Sequence, residues 1–190
     1  NLIEDIDRIL AIKDGAPGCE ITLDANQGFS ACDAVRFLDE LEKNNIRPVL
    51  FEQPVIKTDL LGMKFVKDHT SVPIAADESV FTSADAINIV RTGCADVINI
   101  KIMKSGIIEA LHIAAIARSA NIQLMILCML ESSLGLGCSV HIAAGLGGFS
   151  YVDLDPHINP EAEPFTGGPA YEAPFYTISD ELPGIGVLKR

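Results

Sequence analysis

Residues 72–101 contain Val72-Pro73-Ile74-Ala75-Ala76-Asp77-Glu78-Ser79, a stretch of helical periodicity over 83–91, and then Val97-Ile98-Asn99-Ile100-Lys101. A short apolar run ends in a carboxylate, an amphipathic helix follows, and the next apolar run ends in a cation. Runs this apolar, without polar alternation, predict strands of a parallel sheet covered on both faces. The same unit recurs along the chain. The pattern predicts strands at 20–23, 48–51, 72–76, 97–100, 123–127 and 151–152. It predicts helices at 4–13, 31–43, 60–68, 83–91, 106–119 and 134–144. Ser30, Asp59 and Ser83 stand where N-caps belong. Six successive βα units without low-complexity linkers make a parallel α/β domain.

A doubly wound sheet and a closed barrel both satisfy that order. An open sheet concentrates its functional groups at one switch point, whereas a barrel presents them at many strand ends. Here charged groups follow five of the strands, which favours the barrel. A closed barrel needs eight units and this chain supplies about six. The expected organisation is therefore a barrel portion over 1–155 and an extended segment over 156–190 that wraps onto another region, with the first strands and anything before them absent from the sequence.

Composition sets the outer limits. The 190 residues are 48% hydrophobic, with a net charge of −12, enough apolar material for one core. That charge argues against a nucleic-acid partner, which needs a basic patch. No apolar run is long enough for a membrane span. The five cysteines, Cys19, Cys32, Cys94, Cys128 and Cys138, form no CxxC pair. This fits a reducing, cytoplasmic setting better than a disulfide framework or a thiolate zinc site.

Three consecutive strands end in acids: Leu23-Asp24-Ala25-Asn26, Phe51-Glu52-Gln53-Pro54 and Ala76-Asp77-Glu78-Ser79. Any one of them alone reads equally well as a polar loop residue or a helix cap. Neighbouring strands of a sheet lie about 5 Å apart, so in a barrel the three carboxylates would converge. Three anions that close repel one another, and a divalent cation resolves the conflict. All-oxygen ligation selects a hard ion, Mg²⁺ first and Mn²⁺ second.

Lys101 ends the fourth strand. A solvated loop lysine is one reading. Beside a metal site, a lysine whose charge is disfavoured becomes a proton shuttle. Lys104, three residues on, receives no role. The last strand ends in Asp153-Leu154-Asp155, whose period-two spacing sends both aspartates to the same side. Such a pair suits a substrate ammonium group, and a solvated turn before Pro156 is the plainer alternative.

In this order the motifs resemble the muconate-lactonizing branch of the enolase superfamily. The match rests on Asp24-Ala25-Asn26-Gln27, Glu52-Gln53-Pro54, Ala76-Asp77-Glu78-Ser79, Ile100-Lys101-Ile102-Met103-Lys104-Ser105-Gly106 and Met129-Leu130-Glu131-Ser132-Ser133. The successive intervals of 28, 25 and 24 residues, from Asp24 to Glu52, Glu52 to Asp77 and Asp77 to Lys101, fit as well. Within that branch, Asp153-Leu154-Asp155 is similar to the stretch with which dipeptide epimerases hold a substrate N-terminus. The resemblance implies a TIM-like (β/α)7β barrel, present as roughly its last six βα units, with the segment over 156–190 completing the barrel and capping region and the N-terminal capping domain absent from this sequence.

It also implies Mg²⁺ on Asp24, Glu52 and Asp77, binding the substrate carboxylate and stabilising an enediolate. Lys101 would serve one face of the α-carbon as acid or base, and a second lysine, outside this sequence, would serve the other. The implied reaction is epimerization of a dipeptide such as Ala-Glu, with Cys128, Met129 and Leu130 lining its backbone. Homo-oligomerization is compatible with this reading. One departure stands out: the family usually carries a double glycine after the lysine loop, and here Gly106 is followed by Ile107.

Other members of the superfamily, a cycloisomerase, an o-succinylbenzoate synthase or an N-acylamino acid racemase, would keep the acids and Lys101. A free amino group on the substrate, suggested by Asp153 and Asp155, favours the epimerase. From another class, a flavodoxin-like binding module would cluster its acids on few strands. An inactive barrel fragment is the remaining alternative.

Overall fold

The computed structural model describes residues 2–155, 163–179 and 181–190. Two compact units divide the chain, the first running to Val80 and resuming over Ala84–Ile98, the second holding Phe81–Ser83 and the residues from Asn99 onward.

The first unit begins with α1 (Leu2–Gly15) and continues through β1 (Thr22–Asp24), α2 (Ala31–Lys43), β2 (Leu50–Glu52), α3 (Leu60–Asp68), β3 (Ile74–Ala76) and α4 (Ser83–Thr92). The opening half of β4 (Val97–Ile100) also belongs to it. All pairings in it are parallel and in chain order: Leu23 opposite Phe51, Asp24 opposite Glu52, Glu52 opposite Ala75, and Ala76 opposite Ile98. Strands β1, β2 and β3 start later than the apolar runs that predict them, while β4 begins where expected. Pro48 and Pro73 have no N–H to donate, so the paired segments begin only after each of them.

Helix α2 shows how the sequence drives the packing. Its buried residues, Ala34, Phe37, Leu38 and Leu41, recur at i, i+3, i+4 and i+7, the spacing of one helical face. Phe37 stacks on Phe29 with ring centroids 5.1 Å apart, and Phe51 of β2 meets both rings at 5.9 and 6.0 Å. The Ser30 side chain caps α2 by accepting the Asp33 N–H, and Asp59 caps α3 by accepting the Gly62 N–H at 2.8 Å. Ser83 differs from expectation: it is the first residue of α4 itself.

Leu50 is fully buried in β2. Leu50→Ala should lower the unfolding free energy by about 2–5 kcal/mol through lost apolar burial and the cavity left behind. A urea titration of the full-length protein would show this as a lower midpoint at unchanged slope.

The second unit holds α5 (Ile102–Ser119), β5 (Gln123–Leu127), α6 (Ser133–Leu146) and β6 (Phe149–Asp153). Helix α5 begins earlier than the predicted 106–119, because one helical turn directly follows Lys101. The Lys104 N–H donates to the Lys101 carbonyl at 2.9 Å. Gly106 then interrupts the helix at φ 70° and ψ 176°, a conformation that glycine adopts without a Cβ clash.

Strands β5 and β6 run parallel, with a bulge between Leu124 and Met125, and end with Leu127 opposite Asp153. Ile126, Cys128, Val140 and Leu154 form a buried cluster against which Phe149, Tyr176 and Ile178 pack.

Within the described part of the tail, expected as an extended segment, two strand pairs form. Strand β7 (Phe165–Gly167) pairs antiparallel with β10 (Val187–Lys189), and β8 (Ala170–Glu172) with β9 (Phe175–Thr177). A side chain at Gly167, whose φ is 80°, would collide with the Gly186 carbonyl. The expected extended start of the tail, 156–162, lies outside the described residues. Among the described residues, no helix is long and apolar enough to cross a membrane.

Candidate active site

In the first unit the three predicted acids stand at or just beyond successive strand ends. Asp24 closes β1 and Glu52 closes β2, directly opposite it. Asp77 follows β3, two residues beyond Ala75, the partner of Glu52. Their environments differ. Asp24 is exposed and its Oδ1 accepts the Asn26 N–H at 3.0 Å, making a turn. Glu52 and Asp77 are 1% and 2% exposed. Among the described residues, no three His, Cys, Asp or Glu side chains gather closely enough to hold a metal ion.

A polar lattice ties the three loops together. Gln27, in the loop after Asp24, donates from Nε2 to Glu78 Oε1 at 3.1 Å and accepts the Lys57 N–H at 3.0 Å. Ser79 Oγ donates to the Lys57 carbonyl at 3.0 Å. Gln53 is wholly buried and accepts the N–H groups of both Asp77 and Ser79. The sequence reading quoted Gln53 within its motif and gave it no role. The signal was there: an amide between two strand-end residues and a proline, where only local turn chemistry was considered.

In the second unit Lys101 is 8% exposed and occupies the N-cap position of α5 in extended conformation. Lys104, left without a role, has one: its Nζ donates to the Asn99 carbonyl at 3.0 Å and lies 5.7 Å from the centre of the Phe81 ring.

At the other strand end of this unit, Asp153 and Asp155 are exposed while Leu154 between them is buried. The alternation follows the period-two geometry of a strand. Three bonds fix that backbone. The Cys128 N–H donates to the Asp153 carbonyl at 3.2 Å, and the Cys128 thiol to the Asp155 carbonyl at 3.7 Å. Tyr176 Oη donates to the Leu154 carbonyl at 2.8 Å.

Burial pushes the Cys128 thiol upward, and the nearby carboxylates of Glu131, Asp155 and Asp153 add to it. The Tyr176 phenol is pushed up to about 12, chiefly by burial. Met129 and Leu130, after β5, are 47% and 61% exposed. Glu131 is a second residue the sequence reading passed over. Burial raises its pKa, while the backbone N–H groups of Met129 and Met103 pull it back. It thereby joins the loop after β5 to the helical turn after Lys101.

Known proteins resemble this chain over nearly its whole length. Residues 1–188 match the model of the "Enolase C-terminal domain-like" family. An L-Ala-D/L-Glu epimerase of Thermotoga maritima is 41% identical over 181 residues, 95% of this chain and 52% of that protein. A mandelate racemase/muconate lactonizing protein from Herpetosiphon aurantiacus superposes with a TM-score of 0.94 at 38% identity. That match covers 100% of this chain and 54% of the other. A dipeptide epimerase from Enterococcus faecalis V583, solved with Mg and the dipeptide L-Leu-L-Tyr, superposes with a TM-score of 0.83 at 40% identity. It covers 89% of this chain and 48% of that one. The chain spans about half the length of the curated relatives it matches.

Proposed function

The chain belongs to the enolase C-terminal domain-like family and carries part of its (β/α) barrel fold, and from that premise we propose that the full-length protein epimerizes dipeptides at the α-carbon. The observation that carries the proposal is the burial of Lys101 at the end of β4. An amine largely shielded from solvent at a strand end is placed to pass a proton to or from a bound substrate, as an acid–base group requires. Relatives named as dipeptide epimerases support the choice of substrate class.

Asp24, Glu52 and Asp77 would hold a divalent cation, Mg²⁺ by the hardness of the donor set. The donors fit on chemistry. Glu52 and Asp77, buried at the ends of neighbouring strands, carry a like-charge cost that a shared cation would offset. When bound there, such an ion would supply positive charge that offsets the charge developing as the α-proton leaves. Lys101 takes that proton from one face, or returns one there. Asp153 and Asp155 hold the substrate ammonium, and Cys128 and Tyr176 fix the strand that carries them. Cys128, Met129, Leu130 and Leu154 line the peptide. The proposed setting is the cytoplasm, where the five free thiols stay reduced.

The substrate class is tested by Asp153→Asn/Asp155→Asn in the full-length protein. Charge-assisted hydrogen bonds are worth about 1.5–3 kcal/mol each. The double variant should therefore lose at least tenfold in kcat/KM for Ala-Glu, with an N-succinyl amino acid little affected. A wild type that prefers the N-acyl substrate would transfer the assignment to the racemase or synthase branch.

A further inference from the structure

We propose that Gln53 is a positioning residue that sets the place of Asp77 for cation binding. The proposal rests on the metal reading above and goes beyond it, since Gln53 itself offers no group to the ion.

The argument starts from a full set of hydrogen bonds. The Gln53 side chain is 0% exposed, so each polar atom needs a partner inside the protein. Its Oε1 accepts the Asp77 N–H at 2.9 Å and the Ser79 N–H at 3.1 Å. Its Nε2 donates to the Val55 carbonyl at 3.0 Å and to Ser79 Oγ at 2.9 Å, with Met63 Sδ at 3.9 Å. Two N–H donors converging on one atom decide which end of the amide is oxygen.

Residues 77–79 therefore wrap around a single oxygen, and the Val80 N–H closes the turn on the Asp77 carbonyl at 3.0 Å. The Gln53 backbone takes part as well, since its N–H donates to the Ala75 carbonyl at 2.9 Å. It adopts a positive φ of 35°, an uncommon conformation for a residue with a side chain. The surrounding bonds hold it there.

No other side chain replaces this set. Glutamate lacks the donor, methionine lacks both functions, and asparagine is one methylene too short to span β2 and the loop after β3. Adjacent residues thus divide the work: Glu52 offers a carboxylate, and Gln53 holds the backbone from which the next one, Asp77, projects. Groups that orient metal ligands from behind typically change affinity by about 10–100-fold when removed.

The test measures Mn²⁺ dissociation constants by the electron paramagnetic resonance signal of the free ion. It compares full-length wild type, Asp77→Asn, Gln53→Met and Gln53→Asn at a temperature where circular dichroism shows each folded. Wild type should bind Mn²⁺, Asp77→Asn should lose it, and both Gln53 variants should bind about tenfold or more weakly. A residue that only stabilises the fold would lower the melting temperature and leave the Mn²⁺ constant of the folded protein unchanged. A folded Gln53→Met or Gln53→Asn within twofold of wild type, with Asp77→Asn deficient, overturns the positioning role alone. Should Gln53→Met fail to fold, Gln53→Asn decides; should neither fold, Gln53 is a folding element and the proposal fails. Equal binding by wild type and Asp77→Asn sinks the metal reading, and this proposal with it.

Discussion

In the full-length protein, Asp77→Asn should lower epimerase turnover by roughly three orders of magnitude, the scale on which preorganised electrostatic stabilisation acts. The substitution keeps the side-chain volume and removes one negative charge from a position 2% exposed to solvent. Glu52→Gln, at a position 1% exposed, should behave alike. The expected loss is in kcat, because the cation that Asp77 would help hold balances negative charge that develops as the α-proton departs. Folding should survive, since the variant lowers the number of buried charges in a strongly acidic chain. Steady-state kinetics with and without a chelator, beside a thermal melt, make the measurement. Undiminished activity in chelator, or in Asp77→Asn, would end the metal mechanism.

Lys101→Met should lower epimerization by roughly 10²–10⁴-fold, the usual contribution of a positioned acid or base. Methionine retains most of the apolar stem of the lysine, which matters because Lys101 is buried and precedes the first turn of α5. The two stereoisomers should then behave differently in deuterated water. The isomer whose α-proton faces away from residue 101 should still exchange, because in the proposed mechanism a second base serves that face. The isomer facing residue 101 should not. Mass spectrometry of both recovered dipeptides reads the asymmetry directly. Equal exchange from both would show that Lys101 is not specific to one face. Loss of both, in a protein that melts normally, would point to a role in binding instead.

The local parts of this protein were legible in its sequence. The helices expected at 31–43 and 60–68 coincide with α2 and α3, and Ser30 and Asp59 cap them as predicted. Helical periodicity and N-cap chemistry depend on residues only a few positions apart, so one sequence window contains the whole cause. The placement of Asp24, Glu52, Asp77 and Lys101 at or beside strand ends followed from the same local patterns.

Other features depended on partners distant along the chain. The sequence ranks Asp24, Glu52 and Asp77 alike, yet the fold leaves Asp24 exposed and buries the other two. Burial is set by which strands and helices cover a position, and no window around the residue contains them. The strand pairing within the tail was not legible, because its two halves, Phe165–Gly167 and Val187–Lys189, lie far apart in sequence. Gln53 had no role until Asp77 and Ser79, 24 and 26 residues away, turned their N–H groups toward its oxygen. A buried amide is selected by the sum of its contacts, and those contacts exist only once β2 and β3 lie side by side.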